Sequence, residues 1–190
     1  MKRILLVEDN GLTQDLVRDI LTGYDLQIAA SGAEALRLCR EALPDLLILD
    51  LNLVAPPDRT EKKLSGLELL RRLPVAIPFI VLTADPSPET RQAAIKAGAL
   101  AYCVKPPDPD NLVNTVEVAL ALAAERSNQA REAVVHRAVG ILMALHQLDE
   151  AGAREALRDL ASTERRKLYE IAQQVVAAQA LLNRLSRHTG

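Results

Sequence analysis

Five brief, nearly all-apolar runs punctuate the first 105 residues: Ile4–Val7, Leu26–Ala29, Asp45–Leu49, Phe79–Leu82 and Leu100–Val104. None alternates apolar with polar residues, as a strand with one wet face would. Continuous apolarity over so short a length marks strands covered on both sides, the habit of parallel sheets. Amphipathic stretches separate them: Leu12–Leu21, Ala33–Ala42, Gly66–Leu73, Glu89–Ala97 and Asp110–Ala124. Strand and helix in strict alternation predict βαβ units and an α/β fold, a doubly wound, five-stranded parallel sheet of flavodoxin-like form. In such a sheet the carboxyl ends of the strands share one rim, and ligands bind there.

The rhythm changes once. Neither Pro nor Gly interrupts the chain between Pro109 and Gly140. Leu112, Val116, Ala119 and Ala123 keep a helical spacing, which predicts one long linking helix or two abutting ones. Its exposed seam could pair with a second copy as a coiled coil, interrupted at Arg126-Ser127-Asn128. Three helical stripes follow. The first runs through Val134, Ala138, Ile141, Leu142 and Leu145, the second from Ala153 to Ala161, and the third from Leu168 to Leu182. Asp149 and Ser162-Thr163 read as N-caps of the second and third. No stripe can bury itself alone, so the three predict a small all-α three-helix bundle. The expected division is residues 1–122, a helical linker at 123–133, and a bundle domain at 134–190. A loop at Val54–Ser65 carries Pro56-Pro57 and the charged run from Asp58 to Lys63.

Composition narrows the function. The only aromatics are Tyr24, Phe79, Tyr102 and Tyr169, which excludes a sheet paved with stacking rings. Cys39 and Cys103 are far apart and form no Cys-x-x-Cys pair, which argues against a disulfide scaffold or a zinc finger. The first residues hold too short an apolar run for a signal peptide, and no window has the roughly 20 apolar residues of a membrane span. A cytoplasmic protein without a membrane partner is expected. The net charge of −2 hides a split. Residues 1–125 carry 13 basic and 18 acidic side chains, and residues 126–190 carry 10 and 7. A basic helical end is compatible with a polyanionic partner.

The strand ends carry the chemistry. Glu8 and Asp9 follow the first strand, Asp50 the third, Thr83 the fourth and Lys105 the fifth. On one rim, three carboxylates would repel unless a cation offset them. Mg²⁺ suits an oxygen-only site with few protein ligands. Carboxylate, metal, hydroxyl and ammonium together suit phosphoryl transfer to a carboxylate. No glycine-rich phosphate loop and no Ser/His/Asp or Cys/His arrangement is visible, so an independent metabolic enzyme is not expected. The expected chemistry is self-phosphorylation and slow self-dephosphorylation.

Those residues sit in recognisable company. Ile4-Leu5-Leu6-Val7-Glu8-Asp9-Asn10, Leu47-Ile48-Leu49-Asp50-Leu51, Ile80-Val81-Leu82-Thr83-Ala84 and Gly98 to Pro106 resemble the receiver domain of bacterial response regulators. The resemblance implies that Asp50 accepts phosphate from a sensor histidine kinase. It implies Mg²⁺ held by Glu8, Asp9, Asp50 and the Asn52 main-chain carbonyl. It further implies that Thr83 bonds the phosphoryl group, that Tyr102 changes rotamer with it, and that Lys105 pairs with the phosphate or with Asp50. Two departures stand out: Glu8 where the family usually has Asp, and sixteen positions from Asp50 to Gly66 where about eight are usual.

Residues from about 130 to 185 resemble an ANTAR domain, the AmiR/NasR-type antitermination module that binds RNA. The resemblance rests on Ala138-Val139-Gly140-Ile141-Leu142-Met143, on Ala153, Leu157-Arg158 and Ala161, and on Arg165 to Ala172. It implies hairpins in a leader RNA as the target and a homodimer as the binding form; phosphorylation at Asp50 is expected to shift a monomer–dimer or a closed–open equilibrium. Arg131, Arg137, Arg154, Arg158, Arg165, Arg166 and Lys167 are the candidate RNA contacts, with His136 nearby. The family commonly has Lys where this chain has Val139, and an aromatic where it has Arg154. Those differences keep open an output that dimerises and binds a protein or DNA instead.

Overall fold

The computed structural model describes residues 1–53 and 66–188. The Val54–Ser65 loop lies outside the described residues. The chain divides into two compact units, Met1–Ala123 and Ala124–Gly190.

In the first unit the strands are β1 (Arg3–Val7), β2 (Asp25–Ala29), β3 (Leu46–Leu49), β4 (Phe79–Thr83) and β5 (Tyr102–Val104). All pair in parallel, in the order β2-β1-β3-β4-β5. The flanking helices are α1 (Gly11–Ile20), α2 (Gly32–Glu41), α3 (Gly66–Arg72), α4 (Pro88–Lys96) and the start of α5 (Pro109–His146). Strand periodicity of two sorts the apolar runs onto the two faces. Leu5, Val7, Leu47, Leu49, Phe79 and Val81 pack with Ala35, Cys39, Leu69 and Ala94. Ile4, Leu6, Leu46, Ile48, Ile80 and Leu82 pack with Val17, Leu21, Leu112, Val116 and Ala119. Every strand residue from Ile4 to Val7 and from Leu46 to Leu49 is buried, because each face has its own helices. Ile48 is completely buried at the centre of the second face. Ile48→Ala is expected to destabilise the unit by about 2–5 kcal/mol, the range for large-to-small core truncations. Urea denaturation, with an unchanged slope and a lower midpoint, is the check.

Helix entries follow from capping. Asn10, Ser31 and Ser87 each accept a bond from the backbone N–H three residues on, at Thr13, Glu34 and Thr90. β5 is shorter than the apolar run that announced it. Leu100 and Ala101 still bond to β4, through Leu100 N to the Phe79 carbonyl and Val81 N to the Ala101 carbonyl.

In the second unit the bundle consists of the later part of α5, α6 (Glu150–Glu164) and α7 (Leu168–His188). Ala138, Val139, Ala153, Leu157, Ala161, Ile171 and Ala172 form its core. The linking helix and the first bundle helix are therefore one element, and Arg126-Ser127-Asn128 does not break it. Asp149 caps α6 by accepting from Gly152 N. Ser162-Thr163 caps nothing: both residues lie inside α6. Ala161 belongs to the core, which keeps that turn helical. The helix instead ends at Arg165, whose left-handed backbone (φ 52°) lets its N–H bond back to Ala161 and Ser162 carbonyls.

Candidate functional site

The sheet rim forms from the backbone outward. Glu8 N donates to the Ala29 carbonyl (3.0 Å), Asp50 N to the Val7 carbonyl (3.0 Å) and Lys105 N to the Thr83 carbonyl (2.9 Å). These bonds tie the carboxyl ends of β1 to β2, β3 to β1 and β5 to β4. Glu8, Asp50 and Thr83 are buried, with Asp50 only 5% exposed, although all three are polar. Ligand oxygens of Glu8, Asp9 and Asp50 lie within 4.8 Å of one another.

Each buried oxygen has a defined environment. Asp50 Oδ1 accepts from Asn52 N (2.9 Å) and Oδ2 accepts from Lys105 Nζ (2.7 Å). The same ammonium is ion-paired with Glu8 Oε2. Glu8 Oε1 accepts from Asn10 N (3.0 Å), and the Glu8 carbonyl accepts from Gln14 Nε2 (2.7 Å). Burial raises the Glu8 carboxyl above its ordinary value, against the bonds from Lys105 and Asn10 that favour its charged form. Burial alone would lower Lys105, but its bonds to Asp50 and Glu8 outweigh that and hold it above its usual value. Lys105 therefore stays an ammonium, shared between the Glu8 and Asp50 side chains. Glu8 Oε2 is buried against the Lys105 ammonium. An all-oxygen donor set of three neighbouring carboxyl groups fits Mg²⁺.

Thr83 is placed beside these groups: its hydroxyl oxygen accepts from Asn52 Nδ2 (3.5 Å) and from Asp85 N (3.3 Å). Tyr102 is held one loop away. Its hydroxyl donates to the Asp85 carbonyl, and the Arg91 guanidinium lies 5.7 Å from its ring centroid. Asp85 accepts from Thr90 and Ser87, which holds its carboxyl below the usual range. The loop after β4 is thus tied through Asp85 to Tyr102.

Gly66 belongs to the site as well. A Cβ built on it would lie 2.6 Å from the Asp50 carbonyl oxygen and 3.0 Å from Leu51 Cα. The start of α3 presses against the backbone of the phosphoacceptor candidate. The sequence showed this glycine only as a spacing, because a close approach of two backbones leaves no local pattern.

The basic residues of the second unit differ in their surroundings. Arg154 is half-buried, with Nε on Glu150 (3.0 Å) and Nη2 on His136 Nε2 (3.2 Å). Arg131 lies over the Tyr169 ring, 5.9 Å from its centroid. Arg131, His136, Arg154 and Tyr169 line one cleft with Glu125, Asn128, Glu132, Val135 and Leu168. Arg137, Arg158, Arg165, Arg166 and Lys167 are exposed and do not line it. Arg166 is paired with both Glu164 and Glu170 at 3.4 Å. Val139 is core, 4% exposed, so this position makes packing contacts in this chain. Gly140, by contrast, is exposed, with open space beside it.

Comparison with known proteins agrees with both halves. The family model for the response regulator receiver domain matches residues 4–117, and that for the ANTAR domain matches 124–176. The transcriptional regulatory protein ZraR of Escherichia coli K12 is 37% identical over 120 residues, covering 62% of this chain and 26% of ZraR. The luminescence regulatory protein LuxO of Vibrio campbellii is 32% identical over 130 residues, 66% of this chain and 27% of LuxO. The chain thus spans about a quarter of the length of these regulators. Among solved structures, a CheY-like receiver domain protein from Methanospirillum hungatei superposes with a TM-score of 0.57 at 29% identity, covering 66% of this chain and 98% of that one. No helix among the described residues is long and apolar enough to cross a membrane.

Proposed function

The chain belongs to the response regulator receiver family and carries an ANTAR domain, and from that premise we propose that phosphorylation of Asp50 controls an RNA-binding output acting in transcription antitermination. The carrying observation is the shared Lys105 ammonium, bonded to Asp50 Oδ2 and ion-paired with Glu8 beside a buried Thr83 hydroxyl. An Asp50 oxygen attacks the phosphorus of a phosphohistidine on a sensor kinase. The P–N bond breaks, its electron pair returns to the imidazole, and an acyl phosphate remains on Asp50. Lys105 moves from the carboxylate to a phosphoryl oxygen, and Thr83 donates its hydroxyl proton to another. Glu8, Asp9, Asp50 and the Asn52 main-chain carbonyl would hold Mg²⁺, which would supply the remaining charge neutralisation. Tyr102 follows by releasing Asp85 and turning inward.

The ANTAR bundle then binds hairpins in leader RNA as a homodimer, within the cytoplasm. Phosphorylation shifts a monomer–dimer equilibrium by favouring one state of the receiver. Light scattering and RNA titration, with and without beryllofluoride and Mg²⁺, test this. A higher mass and tighter binding in the treated sample are expected. Identical mass and affinity in both samples would reject it. The second reading, an output that binds protein or DNA, rests on Val139 being core instead of a cationic contact. Competition of duplex DNA against the RNA separates the two.

A further inference from the structure

Tyr169 is the only aromatic residue beyond position 102, and the fold places it in a cleft instead of in the bundle core. The cleft measures about 530 Å³ and lies between α5, α6 and the first turn of α7. That is the size of sites that take small planar ligands. Tyr169 is half-buried, and its hydroxyl accepts from Gln173 Nε2 (2.7 Å), which fixes the ring. The exposed Arg131 guanidinium covers the ring face, and no ion pair holds Arg131 among the described residues. On the α6 side, Arg154 and His136 are bonded to each other.

Charge decides what kind of group fits. Arg131 and Arg154 are opposed by Glu125 and Glu132 in the same lining, and Arg154 is further neutralised by Glu150. A phosphate would face two carboxylates here and gains little. A neutral ring with a π face and polar edges gains more. It stacks on the Tyr169 ring once the exposed Arg131 guanidinium lifts off that face and closes over it, while the Arg154–His136 pair and the Glu125 and Glu132 carboxylates offer donors and acceptors to its edge.

We propose that this cleft holds one unpaired loop base of the RNA, stacked between the Tyr169 ring and the Arg131 guanidinium. The inference rests on the RNA-binding reading and adds to it a division of labour. Arg165, Arg166 and Lys167 contact phosphates and set affinity for any hairpin; the cleft selects the loop. Single-strand recognition in RNA works in this way, through bases splayed out of the helix onto aromatic or Arg planes.

The test uses the full chain with beryllofluoride and Mg²⁺, the state expected to bind, and a fluorescein-labelled pool of RNA hairpins with one fixed stem and randomised loops. A tight binder is selected on the wild-type protein. Its affinity is then measured across a salt series for Tyr169→Leu, Tyr169→Phe, Arg131→Gln and the pair Arg165→Ala/Arg166→Ala. Tyr169→Leu is expected to weaken binding roughly ten-fold or more with the salt slope unchanged, and Tyr169→Phe to bind nearly as wild type. Arg131→Gln, on an exposed residue, is expected to weaken binding several-fold without touching the fold. The Arg165/Arg166 pair is expected to flatten the salt slope equally for selected and scrambled loops. Replacing one loop base by an abasic site should cost the wild type as much as Tyr169→Leu does, and cost Tyr169→Leu nothing further. Wild-type affinity and loop preference in both Tyr169→Leu and Arg131→Gln would overturn the cleft while leaving RNA binding intact. A wild-type protein that retains no hairpin from the pool would overturn the RNA reading and the cleft with it.

Discussion

Asp50→Asn is expected to abolish phosphoryl uptake from acetyl phosphate and from a phosphorylated kinase, while leaving a folded and more heat-stable chain. The first half follows from nucleophilicity: an amide oxygen in place of the carboxylate cannot form the acyl phosphate. The second follows from charge. Among the described residues, Glu8, Asp9 and Asp50 crowd one rim beside the Lys105 ammonium. Removing one carboxylate relieves repulsion that burial of Glu8 makes costly. The Asn52 N–H still finds an oxygen at position 50, because an Asn side chain keeps one acceptor. Intact-protein mass spectrometry reads the phosphoryl group, and a melting curve without Mg²⁺ reads the stability. One phosphoryl group per chain on the variant would remove Asp50 as the acceptor. An unchanged or lower melting temperature would mean that the Lys105–Asp50 pair outweighs the repulsion.

What the sequence made legible was what repeats or terminates locally. Strand runs such as Leu46–Leu49 show their periodicity and their end, and the polar residue at each end lands on the rim by topology alone. Asp50, Glu8 and Thr83 were therefore readable as a group before any geometry was known. The bundle showed its stripes in the same way, and Asp149 its capping role. The misreadings have a common cause. Ser162-Thr163 has the chemistry of a cap but lies where Ala161 must stay helical to reach the core. The Arg165–Lys167 run shows its charge in the sequence, but not that Arg166 also pairs with Glu164 and Glu170. Tyr169 and His136 come together from different helices, 33 positions apart, and nothing in either segment announces the other. Tertiary proximity is decided by packing, and packing leaves no local trace.

Gly66 carries that point to a second large effect. It is sixteen positions beyond Asp50 in sequence and in contact with its peptide in space. Gly66→Ala is expected to destabilise the receiver unit by about 1–3 kcal/mol, the usual cost of forcing a carbon into filled space. The 2.6 Å approach is to a backbone carbonyl, and backbone cannot rotate aside as a flexible side chain would. Either α3 lifts away from Leu49, Asp50 and Leu51, or the Asp50 peptide turns. Both displace the carboxylate from Lys105 and from the Asn52 N–H, whose bonds of 2.7 and 2.9 Å define its aim. Misplacing an attacking atom by even an ångström is costly in a reaction that depends on positioning. Slower phosphoryl uptake is thus expected at temperatures where the variant is fully folded, together with a lower melting temperature. The rate matters more than the stability here, because lost stability alone would leave uptake by the folded fraction unchanged. Wild-type uptake in a destabilised variant would mean that α3 yields and the rim does not. Wild-type values of both would mean that Gly66 and Asp50 are not pressed together, and that the spacing between them is free to vary.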